Sequence, residues 1–315
     1  MSDPHLPRKY TYSEIFNSIQ GEGYYTGSHT LWIRFFGCNL QCNGFGQLDP
    51  SDPESYELPY KDYDLEGIEK VEDLPVWEKG CDSSYTWSSK FKHLMKQATA
   101  KEIVKKINEV AITDTNPIGG FYHPRSKQTA HLCITGGEPL MRSAQKCVIE
   151  MNEEWDYLIT PKCITWETNG TQKLSTEFTD YLLDRNKWNI PVFFSVSPKL
   201  WTVAGEKRER AIKPKVVKDY YNLGNIVNRR TSIGSPSGQL KFVLGSKREQ
   251  WNEMEEVLQL YRDEGIDWPV YIMPVGATVE EQEASAGKIA KMAYERGYNV
   301  SGRLHCYLFG NAIGT

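Results

Sequence analysis

The chain has 315 residues, 39% hydrophobic and 25% charged, with a net charge of −4. That length suffices for one substantial core, and the near-balanced charge gives no general attraction to nucleic acid or to an anionic membrane. No apolar run approaches the roughly 20 residues of a membrane helix, and Met1-Ser2-Asp3-Pro4-His5 lacks the basic and apolar regions of a secretory leader, so the cytoplasm is the expected setting.

Residues 10–36 begin with a polar-apolar alternation, pass a glycine-rich turn at Gly21 and Gly23, and end in an apolar strand over Thr30–Phe36. Glycines in that turn let the backbone come close to a ligand, although a plain hairpin would use them as well. Two cysteines follow in Gly37-Cys38-Asn39-Leu40-Gln41-Cys42, and a third stands in Cys81-Asp82-Ser83-Ser84-Tyr85-Thr86-Trp87. Cys38 and Cys42, four apart after a strand, can turn both thiolates to one place. With Cys81 they would fill three corners of a [4Fe–4S] cubane and leave one iron for a small molecule. The other cysteines, at 133, 147, 163 and 306, have no ligand spacing and read as small buried hydrophobes. Seven scattered cysteines do not make a secreted disulfide framework.

Between Gly46 and Gly80 there are eleven acids and three lysines, a local net charge of −8 that leaves the rest of the chain near +4. So acidic a stretch has little apolar content for a core of its own. Residues 44–80 are expected to be an acidic inserted surface loop with one short helical turn, accessory to a single domain spanning 1–315.

From residue 99 onward helix and strand signals alternate. Thr99 with Glu102 forms a capping box ahead of the apolar face Ile103, Val104, Ile107 and Val110. Strands are expected at His131–Thr135, Lys162–Thr168, Pro191–Val196, Gln239–Leu244 and Pro269–Met273. Ser246-x-x-Glu249 should open a helix ending near Gly265, and Thr278-x-x-Glu281 another reaching about Arg296. The charge-dense run Glu206-Lys207-Arg208-Glu209-Arg210 reads as a solvated helix or loop. This order argues for a parallel α/β sheet, as a barrel or doubly wound. The distinctive residues fall at C-terminal strand ends, where parallel barrels build their sites.

Thr135-Gly136-Gly137-Glu138-Pro139 together with the cysteines resembles the radical S-adenosylmethionine (SAM) superfamily. Within it, Glu14-Ile15-Phe16, Ser18-Ile19-Gln20-Gly21-Glu22-Gly23 and Arg34 resemble the 7-carboxy-7-deazaguanine synthase family. So do Glu167-Thr168-Asn169-Gly170-Thr171, Ser195-Val196-Ser197-Pro198-Lys199, Gln239-Leu240-Lys241-Phe242-Val243, Arg303-Leu304-His305 and Phe309-Gly310-Asn311. The matches run from residue 14 to the C-terminus in the family's order. One departure is plain: Phe45 stands where the family commonly has its third cysteine. Gly80 replaces the usual aromatic before that cysteine, with Phe45 and Trp77 the candidates for its place.

The resemblance implies a partial (β/α) TIM-like barrel of the radical SAM type. It also implies conversion of 6-carboxy-5,6,7,8-tetrahydropterin to 7-carboxy-7-deazaguanine with release of ammonia, the step of queuosine-type biosynthesis. By the same resemblance, Cys38, Cys42 and Cys81 hold the [4Fe–4S] cluster and Ser83 contacts Mg²⁺. Asp82, Gly136, Gly137, Glu138, Ser195, Ser197, Lys199 and Gln239 fall to SAM and cofactor binding. Ile19, Gln20, Gly21, Glu22, Arg34, Thr135, His305 and Thr315 fall to the substrate, Arg34 facing its carboxylate as a planar fork. A homodimer and a separate electron donor are implied, with neither membrane nor direct nucleic-acid binding. Two alternatives remain. Another radical SAM enzyme, such as an activase or peptide-modifying enzyme, would explain the cysteines but not the Gln20 to Gly23 turn or the tail. A zinc-stabilised interaction protein would need a fourth ligand, and His29 and His93 lack the spacing.

Overall fold

Long apolar runs separated by amphipathic helices can be buried on both faces only in a parallel sheet covered by those helices. The computed structural model, which describes residues 7–155, 160–231, 234–310 and 312–314, has this arrangement. Strands β1 (Tyr10–Ile19), β2 (His29–Phe35) and β3 (Lys96–Ala98) precede a small hairpin of β4 (Tyr122–His123) and β5 (Gln128–Thr129). Then come β6 (His131–Gly136), β7 (Ile164–Thr168), β8 (Val192–Val196), β9 (Gly238–Leu244), β10 (Val270–Pro274) and β11 (Asn299–Val300).

The main sheet has nine strands in the order β11-β10-β9-β8-β7-β6-β2-β1-β3. Pairing is parallel from β11 through β2, while β1 runs antiparallel to both β2 and β3. β3 and β11 are the two edges, so the strand order leaves the sheet open. Leu31, Ile33, Leu132, Ile134, Ile164, Trp166, Val192, Phe194, Leu240, Phe242 and Ile272 are all buried in the core. That continuity is why these strands are recognisable as unbroken apolar stretches.

Helices Ala100–Glu109, Arg142–Glu153, Thr176–Leu183, Pro214–Arg230, Arg248–Asp263 and Val279–Tyr294 pack against the strands. Thr99 and Thr278 make the expected capping boxes with Glu102 and Glu281. Ser246 does not, because the helix begins after Lys247 without a side-chain cap. Gln250 closes that entrance instead, its Oε1 accepting from the Gly245 N–H at 2.9 Å. The charge-dense run leads into Pro214–Arg230, whose Val216, Val217, Tyr220, Leu223 and Val227 are buried. Among the described residues no helix is long and apolar enough to cross a membrane.

The acidic segment is more structured than a surface loop with one helical turn. It has the short helix Pro59–Asp62, but also single helical turns at Pro53–Ser55 and Val71–Asp73. Tyr60, Val71, Leu74 and Trp77 join Tyr85, Phe91 and Leu94, from beyond Cys81, in a second hydrophobic cluster separate from the main core. Its eleven acids are all exposed. The core is therefore shared with the chain that follows, and composition within the segment alone does not reveal it.

Candidate active site

The C-terminal ends of β2, β6, β7, β8, β9 and β10 open into one cavity of about 320 Å³. Strand register brings residues distant in sequence together there: Arg34 lies beside Thr135, and Glu167 beside Ser195. A shift in the β1–β2 register at Tyr12–Glu14 puts Glu14 directly across from Arg34. The extra residue of such a bulge re-aims the side chains around it.

Cys38, Cys42 and Cys81 all line the cavity. Cys42 has a left-handed backbone, φ 53°, an uncommon conformation for a residue with a side chain. The inserted segment is closed at its neck, where the Gly80 N–H donates to the Phe45 carbonyl at 2.7 Å. A Cβ on Gly46, at φ +69°, would lie 2.2 Å from the Glu78 carbonyl oxygen, so glycine is needed for that closure. The neck thus returns the chain to Phe45, and Cys81 enters beside the point from which the excursion left. Burial raises the thiol pKa of Cys38 to about 12 and of Cys81 to about 11. Asp82 adds to the rise at Cys81, while the Trp87 indole and the Ser83 N–H oppose it.

Gly136 and Gly137 line the same cavity. A Cβ on Gly136 would lie 2.2 Å from the Phe35 carbonyl, and one on Gly137 2.7 Å from the Cys38 Cβ. Ser195, Ser197 and Lys199 also line it, with Lys199 Nζ 3.1 Å from the Ser197 hydroxyl and 5.5 Å from the centre of the Phe45 ring. Glu138 and Gln239 stand apart from the lining. Glu138 is buried and accepts from the Leu140 and Asn169 N–H groups and the Thr168 hydroxyl, and burial raises its carboxyl to about 7. Gln239 accepts from the Tyr24 N–H and donates to Ser195. Both hydrogen-bond across to a neighbouring strand end.

Ile19, Gln20, Glu22, Arg34, Thr135 and His305 line the cavity too. Glu22 is gripped by Lys241 and by Arg303 Nε at 3.0 Å. Burial alone would raise its pKa, but Lys241 and Arg303 outweigh burial and hold it well below the usual carboxylate range. Arg303 also donates to Asp82 at 3.0 Å, and Lys241 lies 4.0 Å from Glu167. Burial lowers the His305 pKa. Gly21 contributes its carbonyl, accepting from the Leu304 N–H at 2.9 Å. A Cβ on Gly21 would sit 1.8 Å from His305 Nδ1. Arg34 donates through Nε to Glu14 at 2.6 Å and through Nη1 to Ser83 at 3.4 Å. Ser83 in turn donates to Asp82 at 3.2 Å. Thr315 lies outside the described residues, while Ala312, Ile313 and Gly314 do reach the lining.

Lys241, Glu167 and Arg303 each stand inside a family motif, but the motifs alone give them no role. A lysine within an otherwise apolar strand is the signal that a buried partner must exist. Val76, Trp77 and Glu78 of the insertion, expected to be accessory, also form cavity wall.

No protein-family model matches the chain. It is similar to several curated proteins named 7-carboxy-7-deazaguanine synthase. The one from Rhodopirellula baltica is 26% identical, covering 96% of this chain and 88% of the relative. That from Halobacterium salinarum is 25% identical, covering 96% and 91%, and that from Pyrobaculum aerophilum 24%, covering 96% and 95%. Among solved structures, QueE from Escherichia coli superimposes with a TM-score of 0.51 at 17% identity, covering 94% of this chain and 95% of that one.

Proposed function

We propose that this chain, which belongs to the 7-carboxy-7-deazaguanine synthase family, converts 6-carboxy-5,6,7,8-tetrahydropterin to 7-carboxy-7-deazaguanine and ammonia, as a step of queuosine-type biosynthesis. The observation that carries the reading is a single cavity lined both by three thiols and by Glu22, Arg34 and His305. Anaerobic incubation with SAM, Mg²⁺, reductant and the carboxylated pterin, with mass analysis of products, tests it.

The residues present fit a [4Fe–4S] cluster. Three soft donors face one cavity, and the two adjacent glycines leave room beside Cys38. In a cubane each thiolate holds its own iron. Cys38, Cys42 and Cys81 would hold the cluster, and Gly136, Gly137, Ser195, Ser197 and Lys199 would border SAM. Cluster and SAM together supply hydrogen-abstracting radical chemistry when bound. The Ser83 hydroxyl and Asp82 carboxylate offer the hard oxygens that Mg²⁺ prefers. Omitting Mg²⁺ from the same assay should depress turnover, and turnover indifferent to Mg²⁺ removes that role from Ser83.

The protein's own part is to bind and orient. Lys241 and Arg303 keep Glu22 ionised, so it can accept hydrogen bonds from ring N–H donors of the pterin. The Arg34 guanidinium takes the substrate carboxylate with what Glu14 and Ser83 leave of its fork. Arg34→Lys keeps the charge but loses the planar donors. The kcat/KM for the carboxylated substrate should then fall roughly 100-fold, about 2.7 kcal/mol, with iron content and SAM binding unchanged. Normal turnover by Arg34→Lys would remove the assignment. The sheet is proposed to curl as a partial (β/α) barrel around this cavity, in the cytoplasm. Homodimer formation and a separate electron donor are carried over from the family, and sedimentation of the purified protein tests the former.

A further inference from the structure

We propose that Glu206 is a positioning residue for the cluster: it fixes the backbone that carries Cys42 and keeps a negative charge beside it. The inference rests on the cluster reading above and concerns a residue that reads in sequence as one of a solvated run. Lys207, Arg208, Glu209 and Arg210 are exposed, whereas Glu206 is 6% exposed. Its Oε1 accepts from the Gln41 N–H at 2.7 Å and the Cys42 N–H at 2.8 Å. These are charge-assisted bonds, about twice as strong as neutral ones. They meet two amide donors just where Cys42 takes its left-handed turn.

The surrounding contacts make this a built cradle. The Gly44 N–H donates to the Ala204 carbonyl at 3.0 Å. A Cβ on Gly44 would lie 2.5 Å from the Gly205 nitrogen. Arg210 Nη2 donates to the Asn39 carbonyl at 3.1 Å. The stretch 204–210 thus grips the cysteine loop from Asn39 to Gly44. The same stretch begins five residues after Lys199, so one piece of chain ties the second thiol to the SAM-bordering strand end. Net charge and hydrogen bonding around a cluster set its reduction potential, and a carboxylate held here disfavours adding an electron.

The test compares full-length wild type, E206Q, E206A and E209A, each reconstituted anaerobically with iron and sulfide and without SAM. Iron per chain and the cluster midpoint potential, from a titration followed by electron paramagnetic resonance, are the readouts. E209A, at an exposed acid of the same run, should match wild type. E206Q keeps an acceptor for both N–H groups and should hold wild-type iron. Its cluster should be reduced about tenfold more favourably, a shift of about +59 mV for one electron. E206A should lose most of its iron. An E206Q midpoint equal to wild type overturns the proposal, and so does an E206Q protein that holds no cluster. Wild type without a cluster would instead overturn the cluster reading, which keeps the two failures apart.

Discussion

Cys81→Ala should lose most of its iron and all cleavage of SAM, while Cys147→Ala keeps both. Cys81 is separated from Cys42 by the whole acidic segment, yet it lines the same cavity as Cys38 and Cys42. The Phe45–Gly80 hydrogen bond explains how, since it closes the excursion at its neck. Long loops add closure entropy only slowly with length, so a large excursion between two ligands is tolerable once its ends are pinned. In the proposed ligand set, removing one of three thiolates would leave the cluster only two protein ligands. Cys147 is fully buried on helix Arg142–Glu153 and borders no part of the cavity, so its loss is a matter of packing alone. Full iron content in Cys81→Ala would contradict the ligand set.

Replacing Gly46–Lys79 by a short linker should leave iron binding intact and abolish ring contraction. The neck geometry allows the excision, because residues 45 and 80 are already in contact. Turnover should fail because Val76, Trp77 and Glu78 are cavity wall, and because the deletion strips Tyr60, Val71, Leu74 and Trp77 from the cluster that packs on Ile313 of the tail. Trp77 is a buried part of both that wall and the satellite core. A shortened protein that still forms product at the wild-type rate would return the segment to an accessory role.

The parallel strands are legible in sequence because strands buried on both faces become continuous apolar runs. The capping boxes at Thr99 and Thr278 are legible because all their chemistry lies within four residues. Ser246-x-x-Glu249 has the same local pattern and fails because Gln250 closes the entrance instead. What escapes a sequence reading is set by partners far along the chain. Lys241 is held by Glu22, 219 residues away, and Glu206 by amides 164 and 165 residues before it. The satellite core escapes for the same reason, since Tyr85, Phe91 and Leu94 lie outside the acidic stretch they pack against.

The central claim is that one cavity joins a three-thiolate cluster to a site for a carboxylated pterin. Its most direct test is anaerobic incubation of the wild-type protein with SAM, Mg²⁺, reductant and 6-carboxy-5,6,7,8-tetrahydropterin, read by mass spectrometry. The predicted result is a product lighter than the substrate by one ammonia, with 7-carboxy-7-deazaguanine's fragmentation, and formed only when iron is bound. Iron-loaded protein that cleaves SAM yet leaves the pterin unchanged would contradict the assignment of substrate.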